Sequence, residues 1–553
     1  MKIKKNQKKI HPSSHHYIFQ STPLFLIFLL TFTSSFAQQP VDSLNPIQLS
    51  SVGVRWVKPS GEEIFSASNV GRKEIEENMG NGSVNNMFDM VPSMITTSDA
   101  GTGIGYTYMR IRGIDQTRIN VTMNGIAVND AESQGTWFVN LPDFGSHVEN
   151  LEVQRGVGTS NNGSAAFGAS MNFSTLDIPS KAFLELNSSA GSFYTFRNSV
   201  SAGTGLIADR FSAAFSYSNI LSRGYIDRAN AKLNSIFFTA NYRLLNKKKG
   251  IDYGNIKFNV IYGNEKTGLA WNGVPSDSLK TNRTYNDCGL YYDDKGNPHY
   301  YDNETDNYEQ THYQLFYNIE RMKPRKSKTG FHKYNFDLAG HLTRGIGYYE
   351  QYKDNKKFSA YGLDNFEMGD DILKKTDLVT RKFLDNYFYG MTFNFKHTMA
   401  NLNTETNKNQ FWTWSIGGAL NQYDGKHYGN IIWMQYAGTV PPDYQWYKGK
   451  GDKTQFNLFG TASYQNDAWY AYVDLQYRMI NYQISGIDDN LADITQHYLW
   501  NFFNPKMGVN FDFGKAKRNA LYLSFAVAHR EPTRTDIVDA PSNKKPIPET
   551  LYD

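Results

Sequence analysis

The sequence predicts a mainly β protein, with a small N-terminal α+β unit followed by an antiparallel transmembrane β-barrel. Three observations carry that expectation. Aromatic residues make up 15% of the 553 residues, with 37 Tyr and 36 Phe, while mean hydropathy is only −0.56. Beyond the N-terminal leader, no stretch reaches the ~20 apolar residues of a membrane helix. From about Phe183 onward, segments of ~10 residues alternate apolar and polar side chains, the dyad pattern of outer-membrane strands. A soluble β-sandwich or secreted lectin is the rival class. Charges confined to one face of each segment weigh against it, because they suit a wet lumen.

The chain opens with a basic stretch, Lys2, Lys4, Lys5, Lys8 and Lys9. An apolar run from Leu24 to Leu30 follows, and small residues flank Phe36 at Ser35 and Ala37. This is the pattern of a secretory signal peptide cut after Ala37. His15 and His16 fall inside the leader and are no metal site. The formal net charge of +4 gives no footing for nucleic-acid binding. The single cysteine, Cys288, has no partner for an internal disulfide and reads as an isolated loop residue.

The N-terminal unit starts near Ile64. Arg72 to Glu77 has the carboxylates of a helix start, and Ser83 to Val91 fits a second short helix stopped by Pro92. Short strands follow, joined by glycine and asparagine turns. Asn124-Gly125 between two apolar runs is a hairpin signal, since both residues tolerate positive φ. Leu151 and Val153 alternate with Glu152 and Gln154, which predicts one buried and one polar face.

Four features in fixed order carry a family resemblance: Ile111-Arg112-Gly113, the Asn124-Gly125 hairpin, Glu149-x-x-Glu152-x-x-Arg155-Gly156, and the glycine-rich run Gly163 to Gly168 leading into Asn172-Phe173. Together they resemble the plug domain of the TonB-dependent outer-membrane transporters. The resemblance implies a plug inside an antiparallel transmembrane barrel. It divides the chain into a signal peptide (1–37), a TonB-box region and linker (38–60), a plug (61–178) and a barrel (179–553). It also implies that Ile47, Gln48, Leu49, Ser50, Ser51, Val52, Gly53 and Val54 form the strand that pairs with the energy-transducing protein TonB by β-augmentation. The plain alternative for that stretch is a linker.

By the same resemblance, Arg110, Arg112, Gly113, Glu149, Glu152, Arg155 and Gly156 are plug-motif and gating residues, with the charged members paired to the barrel wall. Two glycine-rich or polar segments, Thr97 to Tyr106 and Asn129 to Phe138, read as exposed, irregular loops at the plug apex. The first lacks the lysine and following helix of a phosphate cradle. Tyr106, Tyr108, Gln134 and Trp137 are the candidates for contacting a chelate by stacking and hydrogen bonding. Trp137 has an equal alternative, packing the plug against the wall.

Short turns are expected at Asn246–Gly250, Lys323–Gly330, Asn466-Asp467 and Gly514–Arg518. Long Tyr-, Trp-, Asp- and Asn-rich loops are expected over about Glu265–Gln310, Gly345–Leu384, Tyr423–Lys453 and Asn481–Trp500. Asp293, Asp294, Asp302 and Glu304 do not have calcium-loop spacing and read as solvated turns. His299, His312 and His427 read as scattered loop histidines without a metal. About thirteen strand candidates are counted, against the twenty-two of a plugged transporter. The resemblance also places Arg530-Glu531-Pro532-Thr533-Arg534 well inside the barrel, so the expectation is a barrel lacking about its last third. No nucleophile motif is present, and neither an enzyme nor a cofactor is expected. The expected function is TonB-dependent import of a scarce metal chelate, first a ferric siderophore. Cobalamin, haem or an oligosaccharide are alternatives, as is, in another class, a passive porin or adhesive surface barrel. Expected partners are TonB, the chelate and outer-membrane lipid, with assistance by a surface lipoprotein left open.

Overall fold

The computed structural model describes residues 67–78, 83–160, 167–248, 250–293, 295–325, 329–402, 409–514, 519–541 and 543–553. The expected signal peptide, the Ile47–Val54 strand and residues 163–166 of the glycine-rich run lie outside the described residues.

The N-terminal unit comprises β1 (Ala67–Gly71), α1 (Arg72–Asn78), α2 (Val84–Phe88), β2 (Met94–Ser98), β3 (Thr107–Ile111), β4 (Ile114–Asp115), β5 (Ile119–Met123), β6 (Ile126–Ala127), β7 (Val148–Arg155) and β8 (Ala169–Thr175). Five of the strands form one sheet in the order β1-β7-β8-β5-β6, with β5 and β8 parallel. The other three, β2, β3 and β4, form a meander. Two hairpins turn on two residues each, Arg112-Gly113 and Asn124-Gly125, all four with positive φ. Left-handed backbone at both positions is what the right-handed strand twist selects, and glycine meets it without a Cβ clash. This explains physically why Ile-Arg-Gly and Asn-Gly recur in the sequence pattern.

The core of this unit gathers Ile75, Met87, Phe88, Met109, Val121, Leu151, Met171 and Phe173, and continues onto the barrel residues Phe237 and Ile261. The expected polar face of β7 is not solvated. Glu152, Gln154 and Arg155 are as buried as Leu151 and Val153. Over Leu151–Arg155 neither face of this strand is left to water.

Fourteen strands form the second sheet: β9 (Ala182–Gly191), β10 (Thr195–Thr204), β11 (Phe211–Ser222), β12 (Ala231–Asn246), β13 (Ile251–Gly268), β16 (Thr305–Pro324), β17 (Gly330–Lys357), β20 (Lys375–Asn401), β21 (Gln410–Met434), β22 (Tyr444–Gln465), β23 (Trp469–Gly486), β24 (Gln496–Phe513), β25 (Asn519–Arg530) and β26 (Glu549–Tyr552). The small hairpins β14–β15 (Leu290–Tyr292, Pro298–Tyr300) and β18–β19 (Phe366–Met368, Asp371–Leu373) decorate two connections. Helix α3 (Arg534–Val538) lies between β25 and β26. Each strand pairs antiparallel with its neighbours in chain order. Side chains alternate as expected: Tyr389, Met391 and Phe393 are exposed, while Thr392 and Asn394 between them are buried.

The short turns fall where expected, and the long connections, 269–304, 358–374, 435–443 and 487–495, lie inside the expected loop ranges but are shorter. Much of each expected loop is strand, and β17 alone runs 28 residues. At ~3.4 Å per residue that is ~95 Å, whereas ~10 residues of tilted strand cross a bilayer. Ladder hydrogen bonds keep forming beyond the lipid, so Tyr-, Asn- and Lys-rich sequence that reads as loop is paired. For the same reason His312 and His427 sit on β16 and β21, not in loops.

Candidate functional site

The crossover from β6 to β7 carries residues 129–147 into the barrel lumen, and its first turn is built by its own side chains. Asn129 accepts from the Val121 amide at 2.7 Å and donates to the carbonyls of Ile119 and Gln134. Asp130 caps the amides of Glu132 (3.1 Å) and Ser133 (2.6 Å). Expected as an exposed, irregular loop, this segment is internally pinned and largely buried. The glycine-rich segment before Tyr106 is pinned as well. The barrel-loop amide of Tyr225 donates to the Ala100 carbonyl at 2.8 Å, and Ser83 Oγ donates to the Gly103 carbonyl.

Above these turns lies a cavity of about 600 Å³. Tyr106, Tyr108 and Trp137 line it from the N-terminal unit, with Trp137 meeting both tyrosine rings edge-on at 6.1 Å. Trp271, Asp306, Tyr349, Lys382, His427 and Arg534 contribute from the barrel side. Trp137 and Tyr106 also pack on Ile220, Ala231 and Leu233 of the wall. The Tyr106 hydroxyl donates to Asp306, and the Tyr108 hydroxyl to Asp99 at 3.0 Å. Gln134 is turned away from the cavity, and its Nε2 donates to the Glu531 carbonyl at 2.9 Å.

At the floor sits Glu132, only 3% exposed. Its Oε1 accepts from Tyr482 Oη (2.5 Å) and Arg534 Nη1 (3.1 Å). Its Oε2 accepts from Tyr423 Oη (2.9 Å) and meets His427 Nε2 (2.5 Å). Burial alone raises a carboxyl pKa, but here the attraction and hydrogen bond of His427, the charge of Arg534 and the Tyr482 hydrogen bond prevail and hold Glu132 well below the usual carboxylate range. Directly behind it, buried Glu531 bridges Lys453 Nζ (2.9 Å) and Arg478 Nη2 (3.1 Å), and Lys453 also donates to the Ala131 carbonyl at 2.6 Å.

The expected wall-pairing residues lie elsewhere. Arg110, Arg112, Gly113 and Glu149 are exposed. Glu152 and Arg155 are buried within the N-terminal unit, where Glu152 accepts from Gln154 Nε2 (2.6 Å). Arg155 donates to the Pro92 carbonyl and to Ser68 Oγ. A Cβ on Gly156 would stand 2.2 Å from Asp553 Oδ2, which accepts from the Val157 amide at 3.0 Å. The charged links to the wall are Asp143–Arg197, Arg118–Glu549, Asp177–Lys257 and Glu132 with its partners. Sequence reasoning missed Glu132, Asp143, Arg118, His427 and Arg534.

A plug-like α+β unit, seated against the inner face of a long antiparallel sheet and floored with charge pairs, defines a plugged β-barrel. Residues 61–170 match the family model described as TonB-dependent Receptor Plug Domain. No curated protein matches the chain by sequence. Among solved structures, the chain is similar to the unliganded ferric citrate transporter FecA, with TM-score 0.59 and 13% identity over 86% of this chain and 64% of that one. It is also similar to the closed form of the ferric-catecholate import receptor Fiu from E. coli K12 (TM-score 0.61, 12% identity, 89% and 70% covered). A third is the siderophore receptor PiuA from Acinetobacter baumannii (TM-score 0.54, 14% identity, 91% and 70% covered). The chain thus carries a TonB-dependent receptor plug domain, followed by a β-sheet folded like the barrels of such receptors. It spans less than two thirds of the length of the ferric citrate transporter. Proteins of this class are transporters, not enzymes. Among the described residues no helix is long and apolar enough to cross a membrane.

Proposed function

We propose that this protein imports a scarce metal chelate, first a ferric siderophore, across the outer membrane of a Gram-negative bacterium, with energy from TonB. The observation that carries the reading is the aromatic cavity above the plug, walled by Tyr106, Tyr108 and Trp137 on one side and barrel side chains on the other. A mostly preformed concave site with a few convergent polar groups is where a small ligand binds. The solved structures with similar folds include a ferric citrate transporter, a ferric-catecholate import receptor and a siderophore receptor, which supports iron as the cargo. In this reading, ligand settles on the plug apex, and TonB adds a strand to residues 47–54 and rearranges the plug.

Deleting residues 47–54 is the test. Iron-limited cells are expected to lose uptake of their chelate while the receptor remains in the outer membrane at unchanged abundance. Flux that persists after the deletion means a passive pore.

A further inference from the structure

Glu132 belongs to the plug, yet every donor that holds its carboxylate comes from the barrel chain: Tyr423 and His427 on β21, Tyr482 on β23, and Arg534 at the start of α3. Two donors serve each oxygen, so the carboxylate is saturated. Tyr423 and Tyr482 are fully buried, while Glu132, His427 and Arg534 also line the cavity. The wall therefore presents a carboxylate receptor, and the plug fills it with its own side chain.

We propose that this four-donor cage is a carboxylate-binding subsite held shut by Glu132, and that a carboxylate on the incoming chelate displaces Glu132 and loosens the 129–137 turn against the wall. The proposal rests on the import reading and specifies the ligand chemistry for it. Withdrawing Glu132 with nothing in its place would leave the buried hydroxyls of Tyr423 and Tyr482 without their acceptor and the half-buried Arg534 guanidinium without its counter-charge, which is unfavourable. Exchange of one carboxylate for another keeps all four donors satisfied, so only a ligand of that chemistry opens the contact at little cost. The other acidic groups lining the cavity each have a partner of their own. Asp306 accepts from Tyr106, Asp489 pairs with Lys382, and Asp130 and Asp488 cap backbone amides. The turn then keeps its internal Asn129 and Asp130 bonds and its backbone ties to the wall at Ala131, Glu132 and Gln134, and loses the four side-chain bonds of the cage. Binding is thereby coupled to the plug–wall junction.

The test is backbone hydrogen exchange over residues 129–137 in the detergent-solubilised full-length protein. Measurements are made without additive, with citrate, with ferric citrate, and with the neutral hydroxamate chelate ferrioxamine. The expected result is exchange raised at least fivefold by citrate or ferric citrate and unchanged by ferrioxamine. In Glu132→Gln exchange is expected to be high without additive, and citrate affinity to rise about tenfold because the cage is no longer filled by an anion. Arg534→Gln is expected to abolish the citrate response. Citrate-insensitive exchange in the parent, or unchanged citrate affinity in Glu132→Gln, overturns the proposal. The import reading is judged separately by the 47–54 deletion, so either can fail without the other.

Discussion

Two titratable plug side chains are held in their uncharged forms by burial, with opposite consequences. Glu152 is pushed up to about 7 by desolvation, only partly offset by the hydrogen bond from Gln154. Its native pKa exceeds its unfolded one, so native protein holds the extra proton between about 4.5 and 7, and stability falls as pH rises through that window. His147 is pushed down to about 4, first by desolvation, with Arg72 and Arg197 adding to it and Asp143 opposing. Here the unfolded state binds the extra proton, so stability falls as pH drops from about 6.5 to 4. Each effect is ~3 kcal/mol when complete, and in the parent they largely cancel across the shared window. Glu152→Gln is expected to leave a protein that gains stability from pH 4.5 to 7, and His147→Phe one that loses it. Calorimetric unfolding of the three proteins at both pH values measures this; parallel profiles contradict it.

At the level of elements, α3 is short but closed by a capping box. The Thr533 hydroxyl accepts from the Asp536 amide, and Asp536 accepts from the Thr533 amide at 2.9 Å. A five-residue helix has little stability of its own, so the cap decides whether Arg534 is presented to Glu132. Thr533→Ala is expected to cost ~1 kcal/mol and to raise amide exchange over 534–538, without altering the strands. The plug turns belong to the same scale. Asn124-Gly125 was legible because its φ requirement is local, and Arg112-Gly113 proves to be a turn of the same kind. The extent of β17, β20 and β21 was not legible. Their outer halves are rich in Tyr, Lys, Asp and Asn, and cross-strand pairing rather than composition makes them strand.

For the whole molecule, the plug–wall junction combines apolar packing with buried charge pairs. Glu531, between Lys453 and Arg478, is its second node, and Lys453 reaches across to the Ala131 carbonyl. Glu531→Gln leaves two buried cations under-compensated, and a loss of ~3 kcal/mol is expected, read as a lowered denaturant midpoint with unchanged slope. An unchanged midpoint would show that the junction does not depend on this node.

What the sequence determined alone was whatever repeats at short range: the plug motifs with their positive-φ turns, the two short helices, and the period-two alternation of the barrel with its tight turns. Three of the cavity's aromatic residues, Tyr106, Tyr108 and Trp137, were legible as well, but tertiary structure alone decided the charged floor of the site. Glu132 meets partners 291, 295, 350 and 402 residues away, a juxtaposition that no local pattern encodes. The residues with motif-level signal, Arg110, Arg112 and Glu149, lie exposed, while Glu152 and Arg155 serve the plug's own interior. Backbone geometry writes itself into neighbouring residues, because φ and side-chain period are local. Charge pairing between plug and wall does not, because it depends on which distant strands the fold brings face to face.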